Sequence, residues 1–167
     1  MAELLIRPAV QRDVPAITEI YGHHAVHGFG TFDEEVPPPS RFADRLAELD
    51  RAGHPFLVAC SDQQIAGFAY AAPFRPRAGW RFTFEDSIYM APDQLRRGHG
   101  TMLLASLMNK CREGGVRHLV AVVGDSQNLP SIRVHERCGF AQIGTLRDVG
   151  FKKGRWLDVV FLQARLA

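Results

Sequence analysis

The chain has 167 residues, 46% hydrophobic and 23% charged, a balance that excludes disordered, collagen-like and coiled-coil chains and fills one domain rather than two. Twenty basic and 18 acidic residues leave a formal charge of +2, too weak a field to imply nucleic-acid binding. The three cysteines lack C-x-x-C spacing and are expected as buried thiols in a reducing compartment.

Met1–Pro8 mixes acid and base without an apolar signal core, and no apolar run approaches the ~20 residues that span a bilayer, so a cytoplasmic chain without a membrane partner is expected. Leu4-Leu5-Ile6 begins a strand. Asp13 then caps a helix with Pro15 in its first turn and Ile17, Ile20, Tyr21 and His24 at helical spacing. His27 to Ser40, with three acids and Pro37-Pro38-Pro39, reads as a loop, and Ser40 caps a second helix ending near Gly53. Phe56–Cys60 and Ile65–Ala71 form a hairpin around Ser61-Asp62-Gln63-Gln64. Trp80 to Met90 alternates as a third strand, with Phe82, Phe84, Ile88 and Met90 on one face and Glu85, Ser87 and Tyr89 on the other. A helix over Thr101–Arg112 is stopped by Gly114-Gly115, and His118–Gly124 reads as a strand buried on both faces. A short helix carries Pro130, Ile132, His135 and Cys138, and two strands separated by Lys152-Lys153-Gly154 close the chain. With no internal repeat, residues 1–167 are expected to form a single α/β domain on a mixed sheet.

The turn Arg96-Arg97-Gly98-His99-Gly100 opens the helix with bare backbone N–H groups, an arrangement suited to phosphate or pyrophosphate. Between Gln94 and Arg117 five basic residues face one acid, Glu113, so the local field is positive although the total is nearly neutral. The Walker A spacing is absent. Leu103 stands where the third glycine of a dinucleotide-binding turn belongs, which removes that reading too.

Leu95-Arg96-Arg97-Gly98-His99-Gly100 resembles the Gln/Arg-x-x-Gly-x-Gly/Ala turn of the GNAT superfamily of acetyl-CoA-dependent N-acetyltransferases, with Leu95 departing at its first position. Within that superfamily, nearly the whole chain is similar to the phosphinothricin and methionine sulfoximine (methionine sulfone) acetyltransferases. The similarity runs through Ile6-Arg7-Pro8-Ala9, Thr31-Phe32-Asp33-Glu34-Glu35, Pro73-Phe74-Arg75-Pro76-Arg77, Phe84-Glu85-Asp86-Ser87-Ile88, Ser131 to Phe140 and Val149 to Asp158. The resemblance implies a central mixed, mostly antiparallel sheet flanked by helices on both faces. It also implies acetyl-CoA as cosubstrate, no metal, and a homodimer.

Acetyl transfer to an amine needs a neutral nucleophile, a polarised thioester and a proton for the departing thiolate. An α-amine with a pKa near ~8 is partly neutral at physiological pH and needs only a modest base, unlike a lysine near ~10.4. Glu85, on the strand face away from Phe84 and Ile88, can take that proton directly or through one water. His135 shares a stripe with Ile132 and Cys138, as a core histidine would. The resemblance instead makes it functional, as general acid or as a partner in relaying the amine proton.

By the same resemblance Ile88, Tyr89 and Met90 offer backbone groups to the cofactor's amides, while Arg96, Arg97, Gly98, His99, Gly100 and Thr101 cradle its phosphates and Asn128 and Ser131 contact it at the next helix start. Arg75, Pro76 and Arg77 are placed near the substrate's acid group, where guanidinium forks suit carboxylate or phosphinate. Phe32, Lys152 and Trp156 are candidate walls of the pocket or of the dimer interface. Phe84-Glu85-Asp86 departs from the commoner Val-Glu-His or Val-Glu-Ser, which points to a different acceptor near Asp86.

The leading reading is acetyl transfer to the α-amine of a small amino-acid analogue carrying a phosphinate, sulfoximine or sulfone. Two rivals stand beside it: a relative acting on another amine, such as an amino acid, a polyamine or a protein N-terminus, and a non-catalytic acyl-CoA-binding module. A basic acceptor would want an acidic pocket, which Asp33, Glu34 and Glu35 could supply. A module could dispense with Glu85 and His135, and both are present.

Overall fold

The computed structural model describes residues 4–167, so Met1–Glu3 and their share of the N-terminal reading lie outside the described residues. Strand β1 (Leu5–Pro8) leads through a single helical turn into helix α1 (Val14–His27). Asp13 stands at the N-cap of α1, but its carboxylate does not cap the helix. It accepts two hydrogen bonds from Arg7, at 2.7 and 2.8 Å, and one from the Val10 N–H, at 2.9 Å. A forked guanidinium outcompetes a helix N–H for a buried carboxylate.

Helix α2 (Pro39–Ala52) starts one residue before the expected Ser40 cap, because Pro39 arrives with φ already set for a first helical position. It closes on Gly53 at φ +70, with the His54 N–H reaching back to the Leu49 carbonyl at 2.8 Å. Strands β2 (Phe56–Ser61) and β3 (Gln64–Pro73) form the expected hairpin, with Asp62 and Gln63 both at positive φ as a tight two-residue turn requires.

Strand β4 (Thr83–Met90) is shorter than its alternation implies. Trp80 ends a single helical turn, and Phe82 is 44% exposed, with the Arg81 guanidinium 4.5 Å from its ring centre. The Phe82 carbonyl accepts the N–H groups of Arg117 and His118, which ties this corner to the start of the next strand instead of burying the ring. Helix α3 (His99–Glu113), strand β5 (His118–Gly124), helix α4 (Leu129–Arg137) and the hairpin of β6 (Ala141–Lys152) and β7 (Arg155–Arg165) complete the order. Lys152 ends β6 rather than sitting in the turn, which is made by Lys153 and Gly154 at positive φ.

Among the described residues seven strands form one sheet in the order β1-β2-β3-β4-β5-β7-β6, antiparallel throughout except for β4 beside β5. Helices α1 and α2 cover one face with Ile17, Tyr21, Phe42 and Leu49, which pack on Phe56 and Phe68. Helices α3 and α4 cover the other with Leu103, Leu104, Leu107 and Ile132. Each fully buried leucine contributes roughly 1.5–3 kcal/mol of transfer free energy. On β5, Leu119, Ala121 and Val123 join this second cluster, while on the opposite face Val120 is buried and Val122 is half-buried and borders a cavity. All three cysteines are free; Cys111 is buried, whereas Cys60 and Cys138 are only half-buried. No helix among the described residues is long and apolar enough to cross a membrane.

Candidate active site

The site begins where the parallel pair comes apart. Strands β4 and β5 are in register from Thr83 beside His118 to Asp86 beside Ala121, and there the pairing stops. Yet β4 runs on to Met90 and β5 to Gly124, held by β3 and β7 on their outer edges. The Ala91 N–H donates to the Ala66 carbonyl at 2.8 Å, so odd-numbered residues of β4 bond to β3, and Ile88 and Met90 turn their backbone groups into the gap. A cavity of about 480 Å³ fills the opening. A linear ligand bearing amides can continue the sheet there.

At the mouth of the gap lies the N-terminus of α3. Gly98 adopts φ +80, and the first intrahelical bond is from the Met102 N–H to its carbonyl, so the N–H groups of His99, Gly100 and Thr101 have no partner within the helix. Arg96 and Arg97 flank this end, exposed to solvent. Free donors, positive charge and the absence of a side chain at Gly98 and Gly100 fit a pyrophosphate. Gly100 and Leu95 line the cavity, so Leu95 presents an apolar wall at the start of this turn.

Glu85 lines the cavity from the face shared with Ser87 and Tyr89, as alternation along β4 predicts. Burial, then the charge of Asp86, raise its carboxyl above the usual glutamate range, and Arg75 opposes them. On the opposite face Asp86 is turned toward α4, where its Oδ2 lies 2.9 Å from His135 Nε2. His135 is 2% exposed, and its Nδ1 donates to the Ser131 carbonyl at 2.8 Å. Burial disfavours the charged ring, but the Asp86 carboxylate outweighs it and raises the imidazole's pKa. Both ring nitrogens are thus engaged within the protein, and Asp86 faces His135 rather than the face that carries Glu85.

Asn128 and Ser131 meet at the start of α4, where the Asn128 carboxamide accepts the Ser131 N–H at 3.4 Å, and both also line the cavity. Other expected site residues lie apart from it. Arg75 folds over the Phe74 ring, 4.1 Å from its centre, and donates to the Phe74 carbonyl; it reaches Glu85 through its charge. Pro76 and Arg77 are exposed in the turn that follows. Phe32 packs its ring onto Gly150, a position that admits no side chain beneath it.

Lys152 is fully buried, donates to the Thr31 carbonyl at 2.8 Å and ties the acidic loop to β6. Its ammonium is pushed below the usual lysine range, first by burial and then by Lys153. The loop's acids are committed as well: Asp33 pairs with Arg41 and accepts the Tyr21 hydroxyl, and Glu34 accepts the Lys153 N–H. This disposes of two of the three acids that an acidic pocket would have drawn on. Among the described residues no group of three His, Cys, Asp or Glu side chains is placed to hold a metal ion.

Sequence reasoning missed His24, whose Nε2 lies 2.8 Å from the Met90 carbonyl and so donates to it across the end of β4, and Phe29-Gly30, which closes over Gly124 at the end of β5. His24 carried the helical periodicity of the α1 core face, a signal shared with residues that only pack.

Residues 17–140 match the profile of the acetyltransferase (GNAT) family. The chain is 46% identical over 161 residues to the phosphinothricin N-acetyltransferase of Alcaligenes faecalis, covering 96% of this chain and 82% of that one. It is 37% identical over 164 residues to the L-methionine sulfoximine/L-methionine sulfone acetyltransferase of Salmonella typhimurium, covering 98% and 95%. Among solved structures, a phosphinothricin acetyltransferase of the GNAT superfamily from Sinorhizobium meliloti, in complex with acetyl-CoA, superposes with a TM-score of 0.94 at 37% identity, covering 98% of this chain and 89% of that one.

Proposed function

The chain belongs to the acetyltransferase (GNAT) family, and from that premise we propose that it moves acetyl from acetyl-CoA to the α-amine of a small amino-acid analogue such as phosphinothricin, methionine sulfoximine or methionine sulfone. The observation that carries this reading is the unpaired gap between β4 and β5, with Glu85 on its wall and the bare N-terminus of α3 at its mouth. When bound, acetyl-CoA supplies an activated acyl thioester. The backbone of Ile88 and the N–H of Met90, whose carbonyl His24 already engages, would hold its amide-bearing arm, with Tyr89 between them on the strand. The N–H groups from His99 to Thr101, with Arg96 and Arg97 beside them, would hold its phosphates, and Asn128 and Ser131 would line its path.

Glu85 takes the proton of the incoming ammonium. Its raised pKa brings it closer to that of an α-amine, which suits a general base working near neutrality. His135 is the second proton-holding group. Arg75, which already acts on Glu85 by charge, swings from Phe74 to meet the acceptor's acid group. Pro76 and Arg77 shape the approach from solvent. Lys152 and Phe32 act at one remove, anchoring the acidic loop and Phe29-Gly30 behind the cavity.

One domain, residues 1–167, carries this activity in the cytoplasm, with no nucleic acid or membrane as partner. It works as a homodimer joined through the β6–β7 hairpin, where Ile143, Leu146, Val149, Phe151 and Trp156 are exposed.

The test is release of free thiol from acetyl-CoA with a panel of amines. Phosphinothricin, methionine sulfoximine and methionine sulfone should support saturable turnover above that of a polyamine or an unsubstituted amino acid. Cofactor binding without turnover on any amine would overturn the catalytic reading, and preference for the polyamine would overturn the acceptor.

A further inference from the structure

We propose that Asp86 is a positioning residue that holds His135 in one orientation with a proton on each ring nitrogen, so that the buried pair, and not the histidine alone, is the proton-holding group of the site. The proposal rests on the reading above that His135 serves turnover. Nδ1 faces a carbonyl oxygen, which can only accept, so Nδ1 carries a proton. Nε2 faces a carboxylate oxygen at 2.9 Å. An imidazole protonated only on Nδ1 would set its Nε2 lone pair against the lone pairs of that oxygen, in a place where side-chain exposure is 3% and 1%. A second proton must therefore lie between the two.

Asp86 Oδ1 is buried and has no hydrogen-bond partner among the described residues, which leaves His135 as the group that compensates Asp86. The remaining neighbours reinforce the pair. Phe140 presents its ring to the imidazole edge to face, 5.0 Å between centres, and supplies no competing donor. Cys111 on α3 and Cys138 just beyond α4 have their thiol pKa values raised, first by burial and then by the charge of Asp86, which keeps both as neutral thiols. On β4 itself Glu85 lies within range of Asp86 and is made harder to ionise by it, with Arg75 opposing. Asp86 thus touches both proton-carrying groups, by a hydrogen bond to one and by charge to the other.

The experiment is Asp86→Asn, which keeps an acceptor oxygen near His135 and removes the charge, with Asp86→Ser as a second variant that removes the charge and leaves a small polar side chain. Imidazole nitrogen shifts of His135, followed by NMR against pH in the intact protein, should show two protonated nitrogens through neutrality in the parent. The midpoint should fall by about one to three pH units in the variant. The kcat profile should shift in the same direction on both limbs, the acid limb because Glu85 ionises more readily and the alkaline limb because His135 loses its second proton sooner. A merely structural loss would lower kcat without moving either limb.

An unchanged His135 midpoint, or an Nε2 shift typical of an unprotonated acceptor in the parent, would overturn the proposal. A lowered midpoint with both rate limbs unmoved would support Asp86's hold on the ring and overturn His135 as a group used in turnover.

Discussion

At the scale of single residues the site depends on two carboxylates adjacent in sequence and opposite in environment. Glu85 stands on the open cavity wall with no hydrogen-bonded cation, so burial and a like charge raise its pKa, and a raised pKa makes a better base. Glu85→Gln should lower kcat by about 10²- to 10⁴-fold and leave acetyl-CoA affinity nearly unchanged, measured by steady-state kinetics and by titration of the cofactor. Because ionised Glu85 is the active form, activity in the parent should fall as pH drops, and the fall should begin above the ordinary glutamate range. The glutamine variant should lose that limb.

Asp86 also borders the cavity but is turned toward α4, and among the described residues His135 gives its carboxylate its one hydrogen bond. His135→Ala leaves a buried carboxylate uncompensated and should cost about 3–5 kcal/mol in urea unfolding at neutral pH. The sign of the pH dependence follows from the raised His135 pKa. The stabilisation is fully present below the unfolded histidine range and is lost as pH rises through the folded value, so parent and variant should converge in alkali.

At the scale of elements, the start of α3 separates two glycines that a motif treats alike. Gly98 sits at φ +80, a conformation that an L side chain adopts only with strain, although nothing lies within 4 Å of the space a Cβ would occupy. Gly100 has a helical backbone, and a Cβ there would meet Met90 and Val134 at 3.6 and 3.7 Å, ordinary van der Waals contact. Gly98→Ala should cost about 1–2 kcal/mol and raise the KM for acetyl-CoA severalfold by twisting the first turn. Gly100→Ala should fold and bind nearly as the parent does, as a Gly/Ala alternation at that place implies. Thermal melts and KM values for the two variants check this directly.

At the scale of the whole molecule, the charge of +2 is unevenly spread. Arg96 and Arg97 lie exposed beside the open end of α3, while most of the acidic loop is tied up by Arg41, Tyr21 and the Lys153 backbone. The apolar surface is uneven too, with Phe151 and Trp156 packed ring to ring at 5.1 Å on the β6–β7 hairpin, where Trp156 is 62% exposed. If this face joins two copies, Phe151→Asp with Trp156→Asp should halve the mass seen by light scattering and leave the fold, read by circular dichroism, intact. An unchanged mass would place any interface elsewhere.

The amino-acid sequence by itself determined the element order, the glycine turn at α3, the face on which Glu85 lies and the family, because local periodicity, turn chemistry and ordered motifs are written along one dimension. It placed Phe82 within the third strand and made Asp13 a cap, since alternation and capping rules hold no information about Arg117 or Arg7 arriving from elsewhere. Only the tertiary structure decided that β4 and β5 part after Asp86, that Lys152 is an internal tie to the loop rather than a cavity wall, and that Asp86 faces His135. Each of these joins residues 35 or more positions apart, and which distant partner wins a buried polar group is settled by packing and charge in three dimensions.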